Sequence, residues 1–267
     1  MTDFHNAGGM LALLHTLKPL LHLEAKTING KTLGEELGAM PFKPFKYSSE
    51  LIRPLSNPLH QNSGIVVLRG NMAPRGAIMK AAASKDRSLL RHTGRAVVFK
   101  NTADMALRID DPDLTVTKDS VLVLQSVGPI GNPGMPEAGV IPIPRKLGAQ
   151  GVKDMLRISD GRMSGTAGGT IVLHISPESA LPDSVFGCVE DGDLIECDVE
   201  KRLLRLHVPD EELAHRIAVR LAARKKEEFE TKRINGKQRG YRGLYERCVN
   251  QAEEGADFDF LTAAGPL

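Results

Sequence analysis

Cysteine is scarce in this chain of 267 residues: only Cys188, Cys197 and Cys248 are present, an odd number without metal-ligand spacing. Three such thiols build no disulfide framework and no zinc site. They read as reduced, buried or helix-face residues of a cytoplasmic protein, with a mitochondrial setting left open. Long hydrophobic runs are also missing. No apolar stretch approaches the roughly 18 residues of a membrane-crossing helix, so no membrane association is expected. The opening "MTDFHNAGGM" has no basic segment followed by an apolar core, which argues against a secretory leader. An excess of one charge is absent too, with Lys and Arg at 35 against Asp and Glu at 33. The densest basic run, "RLAARKKEEFETKR", alternates with glutamate and reads as a solvated helix face, so no nucleic-acid partner is expected. There is neither an internal repeat nor a low-complexity tract.

What is there is an ordinary globular composition, 41% hydrophobic and 25% charged, in a chain long enough for one large domain or two small ones. In "GGMLALLHTLKPLLHL", Leu11, Leu14, Leu17 and Leu21 recur at helical spacing, and Pro19 ends or kinks the helix. "GKTLGEELG" predicts a second short helix. From about Leu51 the texture becomes β-type, with strands predicted at "SGIVVLRGN", "GRAVVFK", "DSVLVLQS", "DMLRIS", "TIVLHIS", "SVFGCV", "DLIECDVE" and "LLRLHV". "APRGAIMKAAA" and "PEAGVIPIPRKLGAQG" leave room for helices or long loops, and "EDGD" (190–193) reads as an acidic turn between two strands. A helix is predicted to open at Pro209–Asp210, where an acidic first turn follows an N-cap placement. Another follows over about 241–254. The pattern implies a mixed α/β, barrel-like core.

Several motifs fail on spacing. "GKT" at 30–32 resembles a phosphate-binding loop, but Ala25 stands where that pattern requires glycine. A serine-hydrolase elbow needs glycine where Arg162 stands. None of the eight histidines forms an H-E-x-x-H pair, and His174 and His207 read as packed strand residues. Two glycine-rich loops survive, each at a strand end, where functional groups tend to sit. "GPIGNPGMPEAG" (128–139) offers Glu137. "SDGRMSGTAGG" (159–169) offers Ser164 among glycines that let backbone N–H groups approach a ligand. Taken alone, Ser164 could be an alkoxide-type base, an oxyanion donor or a turn former.

The run "PGMPE…SDGRMSGTAGGTIVLHISPESA" resembles the C-terminal half of the dihydroxy-acid and phosphogluconate dehydratase family. "DFHNAGGMLALL", "INGKTLGE", "IRPLSNPLHQNSGIVVLRGNMAPRGAIMK" and "DGDLIECDVEKRLLRLHVPDEELAHR" match it in order. "DSVLVLQSVGPIGNPGMPEAG" and "GLYERCVNQAEEGADFDFL" look most like its sugar-acid branch. The resemblance implies a hydro-lyase that converts a small 2,3-dihydroxy acid to a 2-keto acid through an enol. It implies Ser164 as the base, Thr166 as a substrate contact and Glu137 as a Mg²⁺ ligand, with an Fe–S cluster ([2Fe–2S] or [4Fe–4S]) drawing off the C3 hydroxyl. The fold implied is a swivelling β/β/α barrel over 48–209, preceded by a remnant of an N-terminal α/β domain (1–47) and followed by a helical C-terminal extension (210–267). The family's cluster cysteines and other Mg²⁺ ligands, a modified lysine among them, belong to an N-terminal domain not found here. The resemblance therefore implies a truncated product needing that domain. A split enzyme with a complementary chain and a non-catalytic barrel module are the alternatives. A homo-oligomer is expected when the protein is complete.

Overall fold

The structure, a computed structural model, describes residues 1–40, 48–59, 64–165, 168–234 and 240–261, with the side chains of 48–49 and 227–234 outside the description. The chain divides into two units, Met1–Asn62 and Ser63–Leu267.

The first unit is helical, with α1 (Thr2–Asn6), α2 (Gly9–Leu17), α3 (Leu33–Ala39) and α4 (Ser48–Leu51). Pro19 falls within the 3₁₀ turn Lys18–Leu20 that follows α2, as expected of a residue without an N–H to continue the ladder. At α3 the Thr32 hydroxyl accepts from Glu35 N (3.2 Å) while the Glu35 carboxylate accepts from Thr32 N (2.7 Å). This reciprocal cap satisfies two backbone donors that the helix itself leaves open.

The second unit is a closed mixed barrel of β1 (Ile65–Gly70), β2 (Ala73–Lys80), β3 (Arg91–Phe99), β4 (Val121–Leu124), β5 (Arg157–Ser159), β6 (Ile171–Ser176), β7 (Leu194–Asp198) and β8 (Leu203–Leu206). Their order around the barrel is β1-β2-β6-β5-β4-β3-β7-β8. Strands β3, β4, β5 and β6 are parallel neighbours. β2 runs antiparallel to β6 and β7 antiparallel to β3. The helices α5 (Thr102–Arg108) and α6 (Arg145–Ala149) lie in the connections around β4. α7 (Asp210–Ile234) and α8 (Gly240–Cys248) follow the last strand.

Period-two alternation between two apolar surroundings explains why β4 is apolar throughout. In β4, Val121 and Val123 join the core fed by all eight strands, while Leu122 and Leu124 join a second cluster with Val97, Phe99, Ile109, Leu147 and Met155. A strand buried on both faces needs no polar alternation. The barrel closes between β1 and β8, where a Cβ on Gly70 would lie 1.9 Å from the Leu204 carbonyl oxygen. Asn71 seals that seam, donating to Leu206 O (2.9 Å) and accepting from Leu206 N (2.8 Å).

Two local expectations are corrected. "APRGAIMK" is the strand β2 rather than a helix or loop. Its Ala, Pro and Gly have little β-propensity, but Ala73, Ala77 and Met79 face the core and the neighbouring strands supply the ladder. "SVFGCV" is not a strand: Phe186–Cys188 form a buried 3₁₀ turn. Its apolar run reflects burial, which period alone cannot separate from a strand. "EDGD" is the expected turn, with Asp193 N bonded to Glu190 O at 3.2 Å, but it leads from that 3₁₀ turn into β7.

Candidate active site

Because β4 and β5 are parallel neighbours with Leu124 opposite Ser159, the loops that follow them leave the same end of the barrel. The β4 loop carries Glu137 and the β5 loop carries Ser164. They touch directly. Gly139 N donates to Arg162 O at 2.7 Å, and a Cβ on Gly139 would stand 2.8 Å from that same oxygen. Further in, a Cβ on Gly161 would meet Val127 Cγ2 at 2.7 Å. The glycines at 139 and 161 are what allow the two backbones to meet. Glu137 and Ser164 each sit two residues from the Gly139–Arg162 bond, a reach of at most about 7 Å of extended chain. Glu137 is exposed and Ser164 half-buried. Thr166 lies outside the described residues.

Buried carboxylates fix the roots of both loops. Asp160, fully buried, accepts from Val127 N (3.1 Å), Ser179 N (2.8 Å) and the Ser179 hydroxyl (2.5 Å). It thereby joins the start of the β5 loop to the start of the β4 loop. Burial pushes its carboxyl up to about 6, against the pull of those hydrogen bonds and with the Glu178 charge adding to the rise. At the far root of the β5 loop, Asp154 accepts from Lys85 N (3.0 Å), Thr170 N (3.0 Å), the Thr170 hydroxyl (2.8 Å) and Arg157 Nη2 (2.9 Å). Burial alone would raise this carboxyl, but Thr170, Lys85 and Arg157 together hold it below its ordinary value. Arg157 also donates to Ile141 O at 3.0 Å. Gly169, at φ +118°, passes so close that a Cβ would fall 1.9 Å from Arg157 Nη2.

His174, which the sequence suggests is a packed strand residue, is half-buried with φ at 53°. Burial first, and then the Arg162 guanidinium, hold its imidazole below its ordinary value. Arg162, a residue of the Ser164 loop, thus lies near enough to His174 to oppose its protonation.

Among the described residues, no three His, Cys, Asp or Glu side chains gather in a way that could hold a metal ion. Burial raises the Cys188 thiol. It pushes Cys197 up to about 12, with Asp198 and Glu196 adding to the rise. Thiols held protonated are poor cluster ligands. Of two surface depressions of about 770 and 800 Å³, one lies beside β3 and Asp111–Ser120 and the other beneath α7, reaching Ser126 and Ser179 at the root of the β4 loop. In the second, Arg216 is bonded to Asp193 (2.7 Å) and Arg220 to backbone oxygens of Ser179 and Leu181. These arginines fasten α7 to the barrel. Asp160, Asp154, Arg157 and Glu178 escaped the sequence reading. Their one signal is a charged residue beside an apolar β-type run.

Residues 50–256 match the family model described as dihydroxy-acid/6-phosphogluconate dehydratase C-terminal, and the chain belongs to that family. It is 44% identical over 266 residues to a 6-deoxy-6-sulfo-D-gluconate dehydratase of Pseudomonas putida, an alignment covering 98% of this chain and 43% of that protein. It is 44% identical to an L-arabonate dehydratase of Azospirillum brasilense (98% and 44% covered). It is 35% identical to a dihydroxy-acid dehydratase of Methanobrevibacter smithii (96% and 43% covered). The chain thus spans less than half the length of these relatives. Among the described residues no helix is long and apolar enough to cross a membrane.

Proposed function

We propose that this chain supplies the proton-abstracting serine and one magnesium-binding carboxylate of a hydro-lyase, which dehydrates a 2,3-dihydroxy acid to a 2-keto acid. The observation that carries this reading is the 2.7 Å bond from Gly139 N to Arg162 O, which ties together the loops bearing Glu137 and Ser164. In the reaction Ser164 takes the C2 proton, the C3 hydroxyl departs, and the resulting enol tautomerises to the keto acid with net loss of water. A serine hydroxyl is too weak an acid to serve as such a base unaided. The nearby positive charge of Arg162 and a bound cation both favour its ionised form.

Glu137, an exposed carboxylate on a loop, fits one position around Mg²⁺, a hard ion that takes oxygen ligands. When bound, the ion would supply a Lewis-acid charge beside the substrate's carboxylate end. The remaining donors are not gathered among the described residues, and relatives more than twice as long have the room to provide them. Cys188 and Cys197, buried and held protonated, do not fit an Fe–S cluster. Thr166 is proposed as a substrate contact. The substrate class is proposed to be a sugar acid, because identity is 44% to the arabonate and sulfogluconate enzymes against 35% to the dihydroxy-acid enzyme.

The test is a chimera in which this chain replaces the matching portion of the Pseudomonas putida relative. It is assayed for keto-acid formation and for exchange of the C2 proton with solvent. Ser164→Ala should lower both by about 10²–10⁴-fold or more, the span of general-base catalysis. A loss below about tenfold would show that another group is the base.

A further inference from the structure

Beneath the Glu137 loop lies a buried polar lock that the proposed chemistry does not use. Glu178, just after β6, is 1% exposed. Its carboxylate accepts from Ile130 N (2.9 and 3.0 Å to the two oxygens) and from Gly131 N (2.8 Å). Gln251 Nε2 donates to the same carboxylate at 2.8 Å, and Gln251 Oε1 accepts from Glu178 N at 2.8 Å. One side-chain amide thus uses its donor and its acceptor on a single residue, which fixes both rotamers. A Cβ on Gly128 would lie 2.8 Å from Glu178 Cβ and Oε2, so the loop rests on Glu178 with no room for a side chain between them. Both oxygens of the Glu178 side chain act as acceptors here, and an amide at this position would turn an NH₂ toward one of the N–H groups.

Gln251 is 5% exposed, and the turn it opens is itself anchored. Glu253 pairs with Arg75 of β2 at 3.2 Å and accepts from the Ser176 hydroxyl of β6. Gln251 and Glu254 cap the turn reciprocally. The segment after α8 is therefore fastened to two barrel strands and, through Gln251 and Glu178, to the backbone of the β4 loop.

We propose that Glu178 and Gln251 are positioning residues for the β4 loop, so that the turn after α8 sets the geometry at which Glu137 meets its cation. The last step rests on the reading of Glu137 as a metal ligand. The hold on Ile130 and Gly131 rests on the hydrogen bonds alone. Partners bonded directly to a metal ligand typically alter metal affinity by about 10–100-fold when removed, which sets the upper range for a hold that acts through the backbone of the β4 loop.

Amide hydrogen exchange on the full chain tests the hold. Gln251→Ala should speed exchange at Ile130 and Gly131 by about tenfold or more, the equivalent of one charge-assisted hydrogen bond, while Leu122 and Val123 in β4 stay as they are. Unchanged exchange at Ile130 and Gly131, or an equal rise in β4, overturns the proposal. Gln251→Glu adds a readout that simple destabilisation would not produce. The charged groups facing this position are Glu178 with Asp160 behind it, Glu253 and Glu254 on the same turn, and Arg75 on β2. Two facing carboxyl groups can share a proton in mild acid and repel once both ionise. After correction for intrinsic rates, exchange should be near wild type in mild acid and fast in mild base. A pH-independent pattern overturns the lock. Mn²⁺ affinity of the chimera separates the two levels. Glu137→Gln should abolish binding and Gln251→Ala should weaken it, by at most about 10–100-fold. If Glu137→Gln leaves affinity intact, the metal reading falls while the exchange result still decides the lock. If Glu137→Gln abolishes binding and Gln251→Ala does not weaken it, the positioning role falls.

Discussion

Asp160 makes a stability prediction whose sign is unusual for an acidic residue. Its carboxyl is fully buried and raised to about 6 from an ordinary 3.8. The folded state therefore holds this proton more tightly than the unfolded chain does. The gap corresponds to about 3 kcal/mol, at about 1.4 kcal/mol per tenfold in proton affinity. That stabilisation is fully present below 3.8, is lost as pH rises toward about 6, and changes no further above it. Asp154 works the other way. Its carboxyl is held below the ordinary value, so its contribution is present above that value and lost as pH falls through the folded one. His174, also held low, likewise loses stability in acid as it takes up a proton. A single wild-type profile sums these three with other shifted groups, Asp198 among them, and Asp160→Asn isolates the first. The amide keeps an acceptor for Val127 N but turns an NH₂ toward Ser179 N–H, a cost of about 1–3 kcal/mol at every pH. At pH 4 the variant should be the less stable protein by that amount. By pH 7 the ionisation cost it has removed offsets the loss, and the two should match or reverse. The chain has no tryptophan, so urea unfolding is best followed by far-ultraviolet circular dichroism at several values between pH 4 and 7. A wild-type minus variant difference that stays constant across this range, or grows in favour of the wild type with rising pH, would refute the reasoning.

Two substitutions at the far root of the Ser164 loop probe its rigidity. Asp154→Asn leaves the Arg157 guanidinium, whose side chain is 8% exposed, without its counter-charge and should cost about 3–5 kcal/mol in urea unfolding at neutral pH; a loss under about 1 kcal/mol would mean that its backbone acceptors suffice. Gly169→Ala combines a φ of +118° with a Cβ 1.9 Å from Arg157 Nη2. It should lower the melting temperature by about 6–12 °C or more, equivalent to about 3 kcal/mol in a domain of this size. Gly165→Ala, where a Cβ meets nothing within 4 Å, is the control, and similar melting temperatures for the two variants would contradict the packing described.

Much of this protein was legible before any fold was in hand. The apolar run of β4, the Pro19 stop, the short helix in "GKTLGEELG" and the start of α7 at Asp210 are local events, decided by period, propensity and capping within a few residues. The ordered motifs around "GRMSG" and "PGMPE" carried the family. Tertiary structure alone decided the rest. β2 is a strand because β1 and β6 offer it a ladder on either side, although its own residues do not favour one. The Phe186–Cys188 turn is apolar because it is buried, which looks the same in sequence as a strand. The meeting of the Glu137 and Ser164 loops depends on β4 and β5 being parallel neighbours, a matter of strand order around a closed barrel. Asp160, Glu178 and Gln251 look like ordinary polar residues until the backbone N–H groups of a distant loop converge on them. Hydrogen bonds of that kind join residues far apart in the chain, and no local pattern records which donor a buried carboxylate will meet.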